Sequence, residues 1–209
     1  MSSLSLTLLG VYLVPLFVGT WRTSLLGLGC QGFLMAWIAW TRGLDPSQLG
    51  DWVLLADLVL VRGLAAPLLL RQVLRARNTP RRNDVIPPNL LSWTLALGVV
   101  LLAFKFAAAL EREPGEPRTL LAVATSGLLL GFLVLSTQSG TFGQMVGALR
   151  IENAIALFEL TGPSRPPEPG VRLAQLALIA LTVLLFRWYL AAQEPPGARA
   201  APPLEGPTL

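Results

Sequence analysis

Residues 90–110 read LLSWTLALGVVLLAFKFAAAL, an apolar run that contains a single charged residue, Lys105. A helix needs about 20 mostly apolar residues to cross the hydrocarbon layer of a membrane. This run meets that requirement, and the chain on both sides of it contains further runs of the same kind. The sequence therefore predicts an all-α integral membrane protein.

Six more apolar segments flank this run, which gives about seven predicted transmembrane helices. The second segment is short, the sixth carries charges, and the first begins close to Met1 without a preceding basic residue, so we interpret it as a membrane helix rather than a cleavable signal. In chain order the seven segments are Leu4–Thr20, Leu25–Trp40, Trp52–Leu74, Leu90–Leu110, Leu120–Ser136, Phe142–Leu160 and Val171–Ala191.

The composition agrees with lipid as the solvent and excludes several kinds of chemistry. Of the 209 residues, 53% are hydrophobic and 13% are charged, whereas soluble domains carry about 25% charged residues. The chain has no histidine and a single cysteine, Cys30. These absences exclude a histidine metal site, a Ser-His-Asp triad and an internal disulfide. We therefore expect no catalytic residues, no metal and no cofactor in this chain.

Arginines are concentrated between the third and fourth segments. Because cytoplasmic loops carry an excess of basic residues, this loop is predicted to be cytoplasmic. Alternation of the spans then places the N-terminus outside and the C-terminus inside. Loop arginines of this kind also account for the net charge of +4 without a nucleic-acid partner. The residues concerned are Arg71, Arg75, Arg77, Arg81 and Arg82.

The sequence around the second segment is similar to that around the sixth. Residues 22–40 read RTSLLGLGCQGFLMAWIAW and residues 141–160 read TFGQMVGALRIENAIALFEL. Glycines occupy corresponding places, and each segment has polar residues at mid-depth. This similarity predicts two parallel three-helix repeats joined by a linking helix. The predicted divisions are residues 1–88 for the first repeat and the basic loop, 89–117 for the linking helix, 118–192 for the second repeat and 193–209 for a disordered tail.

Glu152 is the principal candidate for function, because an ionisable group inside a span is costly and marks function by default. It lies mid-span beside Asn153, and Glu159 follows on the same helix face about 10 Å away. A carboxyl group in an apolar site has a raised pKa and suits a proton relay. The alternative is a structural one, in which Glu152 is neutral or paired with an arginine and fixes helix packing.

Other polar residues inside the predicted spans have both functional and structural interpretations. Asp57 and Arg62 are five residues apart in the third segment and are not expected to stack directly; they are either part of an ion pathway or a helix-packing ion pair. Lys105 either extends its amine to the membrane surface or belongs to a proton path. Gln31 and Gln175 do not titrate, but they can hold water or bond between helices.

The stretch GQMVGALRIENAIALFEL at residues 143–160 resembles the signature of the hydrogenase-4 component E family. Members of that family are membrane subunits of group 4 [NiFe] hydrogenase and formate hydrogenlyase-type complexes. Their C-terminal part is similar to subunit K of complex I and to the C subunit of Mrp-type antiporters. The segments RTSLLGLGCQGFLMAWIA (residues 22–39) and LVRGLAAPLLLRQVLRARNTP (residues 60–80) also resemble family segments, so the resemblance covers most of residues 10–192.

The resemblance implies a place in a complex of the bacterial or archaeal cytoplasmic membrane. Its partners would be antiporter-like membrane subunits and the membrane anchor of a redox arm. Glu152 would be a carboxylate of the hydrophilic axis at half-membrane depth, and Arg62 a basic residue of that axis. The chain departs from the family pattern at Ala154, where glycine is usual, and at Gln31 and Gln175, where acids are expected.

Three functional hypotheses follow from these observations. The first is a non-catalytic membrane subunit of a complex I-like oxidoreductase that contributes to proton or Na⁺ translocation. The second is a subunit of a cation/proton antiporter assembly without a redox partner. The third is a structural membrane spacer. The first and third predict different effects of replacing Glu152, and neighbouring genes for hydrogenase-like large and small subunits, or their absence, separate the first from the second.

Overall fold

The computed structural model describes residues 2–17, 20–45, 47–76, 83–84, 90–162 and 169–192. These residues form seven helices and one short antiparallel pair of strands. The predicted basic loop arginines at 77–82 and the predicted disordered tail lie outside the described residues. The helices are α1 (Ser2–Phe17), α2 (Trp21–Thr41), α3 (Leu49–Ala56, Asp57–Ala65 and Ala66–Ala76 in continuous succession), α4 (Leu90–Leu110), α5 (Glu116–Thr137), α6 (Thr141–Thr161) and α7 (Pro169–Ala192); the strands are β1 (Asn83–Asp84) and β2 (Gln138–Ser139).

The all-α prediction is confirmed, and five of the helices are long and apolar enough to cross a membrane: α2, α3, α4, α5 and α7. Helix α1 is apolar but shorter, with its apolar part at Ser3–Val14. Helix α6 is not in this group; it carries Arg150, Glu152 and Glu159. By length and composition alone, the helices therefore support a membrane protein with at least five spans.

The helices pack so that each of the first three contacts one of the last three. Helix α1 contacts α5, α2 contacts α6, and α3 contacts α7. Helix α5 also packs along both α4 and α6, whereas α7 contacts α3 more extensively than it contacts its neighbour in sequence, α6. The space between α3, α6 and α7 is therefore bounded by two helices from the end of the chain and one from its first half.

Helix α1 is fixed to the second half of the chain by Tyr12. Its ring is fully buried and lies against Gly127 of α5, where an added Cβ would come within 2.7 Å of the ring. The backbone carbonyl of Tyr12 accepts a 2.5 Å hydrogen bond from Nη2 of Arg150 in α6. Arg150 is 1% exposed, so this guanidinium is enclosed between helices instead of facing lipid.

The middle of α3, Asp57–Ala65, is a π-helix. A π-helix bonds each N–H to the carbonyl five residues earlier, and such segments occur often at functional sites. Helix α2 approaches this segment closely: a Cβ at Gly32 would lie 2.6 Å from the carbonyl oxygen of Leu58 and 2.6 Å from the amide nitrogen of Gly63. The contact therefore requires glycine at position 32.

A compact turn leads from α2 into α3. The Oδ1 atom of Asp45 accepts hydrogen bonds from the hydroxyl (2.7 Å) and the backbone N–H (2.9 Å) of Ser47, and these bonds lower the pKa of the Asp45 carboxyl. The backbone N–H of Asp45 donates to Oδ2 of Asp51 at 2.8 Å. The turn therefore orients the Asp51 carboxylate at the start of α3.

Two loops meet at the opposite end of α3. Strand β1, which follows α3, pairs with β2, which joins α5 to α6, in the register Asn83 to Ser139 and Asp84 to Gln138. The short connection between α5 and α6 therefore pairs with the connection between α3 and α4. This pairing places the two connections on the same side of the molecule.

Candidate functional site

A polar cavity of about 270 Å³ lies between α3, α6 and α7. Its lining combines three carboxylates, two guanidinium groups and one amide with an apolar remainder. Four of the six polar residues were candidates from the sequence as acids or bases, and a fifth as a polar amide. The six are Asp57, Arg62, Glu152, Glu159, Arg172 and Gln175.

Asp57 and Arg62 form a buried ion pair within α3. The Nε atom of Arg62 donates to Oδ2 of Asp57 at 2.8 Å, and the two residues are 6% and 7% exposed. The expectation that these residues do not stack was wrong. It assumed an α-helix, in which positions five apart point in different directions, whereas the π segment brings positions i and i+5 together.

Arg62 connects this pair to a chain of amides that reaches α2. Its Nη1 atom donates to Oδ1 of Asn153 at 3.2 Å, and Nδ2 of Asn153 donates to Oε1 of Gln31 at 3.1 Å. Gln31 is fully buried and Asn153 is 2% exposed. Four predicted site residues from three helices therefore form one continuous hydrogen-bonded network.

Glu152 lies beside this network and not within it. Its side chain lines the cavity and is half-buried, so the expectation of a deeply buried carboxylate was wrong. The difference arises because positions 152 and 153 point in different directions: Asn153 takes the buried position between α2 and α3, and Glu152 faces the cavity. Among the described residues Glu152 has no hydrogen bond or ion pair.

Glu159, the second carboxylate of α6, accepts a hydrogen bond from α7. Nε2 of Gln175 donates to Oε1 of Glu159 at 2.8 Å, and Glu159 is exposed at the edge of the cavity. The two glutamates of α6 do line the same cavity, as their seven-residue spacing predicts. The amide at 175 therefore serves as a hydrogen-bond donor to an acid, which a carboxylate in that place would not do when ionised.

An ion pair that the sequence analysis missed joins the beginnings of α3 and α7. Nη1 of Arg172 donates to Oδ1 of Asp51 at 2.8 Å and to the backbone carbonyl of Gly50 at 2.6 Å. Opposite charges at the starts of two odd-numbered predicted spans were the available signal, since such residues lie on the same side of the membrane. This pair holds α7 against α3 and closes one part of the cavity wall.

Lys105 is the one predicted site residue that lies away from this region. It is exposed on α4, a helix that packs mainly on α5, and it is not among the residues that line the cavity. Within the described part of the chain it has no hydrogen-bond or ion-pair partner. Its position suits an amine that extends along the outer surface of the protein.

The geometry has chemical consequences for the charges of the cavity. Arg62 forms an ion pair with Asp57, and Arg172 forms an ion pair with Asp51. Glu159 is held by an amide. Glu152 is therefore the carboxylate of the cavity that has neither a hydrogen bond nor an ion pair to any described residue. No protein-family model, no curated protein sequence and no solved structure matches this chain.

Proposed function

We propose that this chain is a non-catalytic membrane subunit of a complex I-like or group 4 hydrogenase-type complex, and that Glu152 carries protons, or binds Na⁺, in its intramembrane pathway. The observation that supports this proposal most is the cavity lined by Glu152, a carboxylate that has no hydrogen bond or ion pair to a described residue. The resemblance of residues 143–160 to hydrogenase-4 component E supplies the class of complex.

A seven-span arrangement is part of the proposal. Helix α6 has 21 residues, which is about 31 Å and long enough to cross the hydrocarbon layer. Arg150 is enclosed against α1, Glu152 faces the cavity, and Glu159, near the end of the helix, is exposed at the edge of the cavity. A charged helix is tolerated in a membrane when its ionisable groups face the bundle interior.

The contacts between equivalent helices support the two predicted repeats. In a parallel repeat each helix of one unit is related to the corresponding helix of the other by an axis along the membrane normal. Contacts of α1 with α5, α2 with α6 and α3 with α7 bring each helix of the first proposed unit against its counterpart in the second. In this arrangement Gln31 belongs to the first repeat and Asn153 to the second, and a hydrogen bond joins their side-chain amides.

In this proposal the two groups of polar residues have different tasks. The network of Gln31, Asn153, Arg62 and Asp57 is held together by its own hydrogen bonds and keeps the Asp57–Arg62 ion pair at mid-membrane. Glu152 is near the middle of α6, about 16 Å from the first residue of that helix. Its carboxyl group exchanges protons with water that enters the cavity. A proton on Glu152 neutralises its charge, and release of that proton restores an anion beside the network.

The test uses the assembled complex, purified from its native host through a tag on this chain. We expect Glu152→Gln to abolish proton translocation by the complex in vesicles while electron transfer by the peripheral arm persists, because an amide cannot take up and release a proton. The matched control is Glu113→Gln, which makes the same change in the exposed turn before α5. Translocation at the wild-type rate in Glu152→Gln contradicts the proposal.

Mass spectrometry of the same purified complex separates the alternatives. Hydrogenase-like large and small subunits beside antiporter-like subunits support the redox assignment. Antiporter-like subunits alone support the cation/proton antiporter assembly instead. If Glu152→Gln weakens assembly of the complex without changing transport per assembled complex, the chain is a structural spacer.

A further inference from the structure

A second cavity, separate from the polar one, lies between α2 and α3 on the outer surface of the bundle. It has a volume of about 310 Å³ and a mostly apolar lining. Its floor is the close contact of the two helices, where a Cβ at Gly29 would come within 2.9 Å of the carbonyl oxygen of Gly63. Its walls include the exposed side chains of Phe33, Leu64 and Leu68, which are 45%, 40% and 50% exposed. We call this cavity the α2–α3 groove.

Two arginines lie at one end of the α2–α3 groove. Arg22 is in the first turn of α2 and Arg71 is near the end of α3, and both line the groove and are exposed. Measured along the helices, each is about 10–12 Å from the glycine contact that forms the floor. Because the start of α2 and the end of α3 lie together, both positive charges are at the same end of an otherwise apolar groove.

The side chains of Arg22 and Arg71 have no hydrogen-bond or ion-pair partner among the described residues, unlike those of Arg62, Arg150 and Arg172. Arg75, one turn beyond Arg71, is also exposed and adds to the positive field at this end. Basic clusters at the ends of membrane helices attract anionic head groups, each basic side chain contributing about 1 kcal/mol near the surface.

We propose that the α2–α3 groove is a binding site for one anionic phospholipid, with its phosphate on Arg22 and Arg71 and an acyl chain along Phe33, Leu64 and Leu68. An apolar groove with cationic groups at one end matches a molecule that has an anionic head and an apolar tail. A free phosphate ion matches the arginines but not the apolar walls, and a zwitterionic lipid matches the walls but leaves the two charges less well compensated. This site is independent of the role of Glu152.

Cys30 provides a direct probe of the groove. It is the only cysteine of the chain, it is exposed, and it lines the groove. An acyl chain in the groove covers the thiol and slows its alkylation. The experiment measures the rate of reaction of N-ethylmaleimide with the full-length protein, delipidated in detergent, as phosphatidylglycerol, phosphatidylcholine or inorganic phosphate is added.

We expect phosphatidylglycerol to protect Cys30 at low concentration, phosphatidylcholine to protect only at much higher concentration, and inorganic phosphate not to protect. In the double variant Arg22→Gln/Arg71→Gln the concentration of phosphatidylglycerol that gives half protection rises about thirtyfold, since two surface arginines are lost. The matched control Arg42→Gln/Arg112→Gln removes the same charge at exposed helix ends outside the groove and leaves the half-protection concentration unchanged.

Three results would overturn the proposal. Equal protection by phosphatidylglycerol and phosphatidylcholine shows a non-selective lipid surface. Protection by phosphate alone shows an anion site without an acyl chain. Protection of Cys30 in the delipidated intact complex that does not depend on Arg22 or Arg71 shows that a helix of a partner subunit occupies the groove.

Discussion

At the scale of single residues, the cavity combines an ion pair with a carboxylate, Glu152, that has no hydrogen bond or ion pair to a described residue. Asp57 and Arg62 are almost fully buried and bonded to each other, and Arg62 is also bonded to Asn153. Removing one member of a buried ion pair leaves the other uncompensated, at a cost of about 3–5 kcal/mol, whereas removing both costs much less. The pair therefore contributes to stability in a way that depends on both partners.

A double-mutant cycle tests the buried pair. We expect Arg62→Gln to lower the free energy of unfolding by about 3 kcal/mol, because Asp57 remains buried without its cation. We expect Asp57→Asn/Arg62→Gln to regain most of that loss. Unfolding in detergent, followed by tryptophan fluorescence, gives these values, with Arg112→Gln in the exposed turn as the control. Losses that simply add in the double variant would show that the two side chains act independently.

At the scale of helices, the π segment of α3 is the feature that creates the site. It aligns two residues five positions apart, and it places Leu58 and Gly63 where α2 can approach only through glycine. The same crossing forms the floor of the α2–α3 groove on its other side. One local departure from α-helical geometry thus shapes both the polar network and the apolar groove.

Substitution of Gly32 tests the helix crossing. An added methyl group would overlap the backbone of α3, and overpacking of this kind costs about 1–3 kcal/mol. We expect Gly32→Ala to lower the thermal midpoint of the protein in detergent by several degrees. Gly98→Ala in α4, where a Cβ meets nothing within 4 Å, is the control and should leave the midpoint unchanged or slightly raised, since alanine favours helix. Equal midpoints for the two variants would contradict the close approach.

Most of the helices could be predicted from the sequence, but the π segment could not. Apolar runs such as residues 90–110 identify membrane spans because a helix in lipid contacts hydrocarbon along its whole length and therefore needs apolar side chains throughout. A π segment depends on one additional residue per turn and on packing against α2, and the run from Trp52 to Leu74 reads equally well as a regular helix. The candidate residues of the site were therefore largely identified, whereas the Asp57–Arg62 contact and the direction of Glu152 depended on tertiary structure.

At the scale of the whole molecule, three observations indicate which helix ends lie together. The Arg172–Asp51 ion pair joins the starts of α7 and α3. Strands β1 and β2 pair the connections that follow α3 and α5. Arg22 and Arg71 line the same groove, which places the start of α2 beside the end of α3. All three agree with helices that alternate in direction along the chain.

Cysteine labelling tests this arrangement together with the predicted orientation. In a Cys30→Ser background, we expect Ser47→Cys and Glu113→Cys to react with a membrane-impermeant maleimide in intact cells, because alternation places both turns outside. Asn83→Cys should react only after the cells are opened, since the arginine-rich connection is predicted to be cytoplasmic. Labelling of Ser47→Cys and Asn83→Cys from the same side would contradict the arrangement.

The bond between Arg150 and the carbonyl of Tyr12 also has a consequence for biosynthesis. The two residues are 138 positions apart, and at 5–20 residues per second a ribosome needs about 7–28 s to travel from one to the other. During that interval α1 leaves the ribosome before Gly127 of α5 and Arg150 of α6, which enclose Tyr12, have been made. Helix α1 must therefore remain at the insertion machinery or in lipid until α6 has been made. The helix bundle is completed late, when Arg150 of α6 bonds to the carbonyl of Tyr12 in α1.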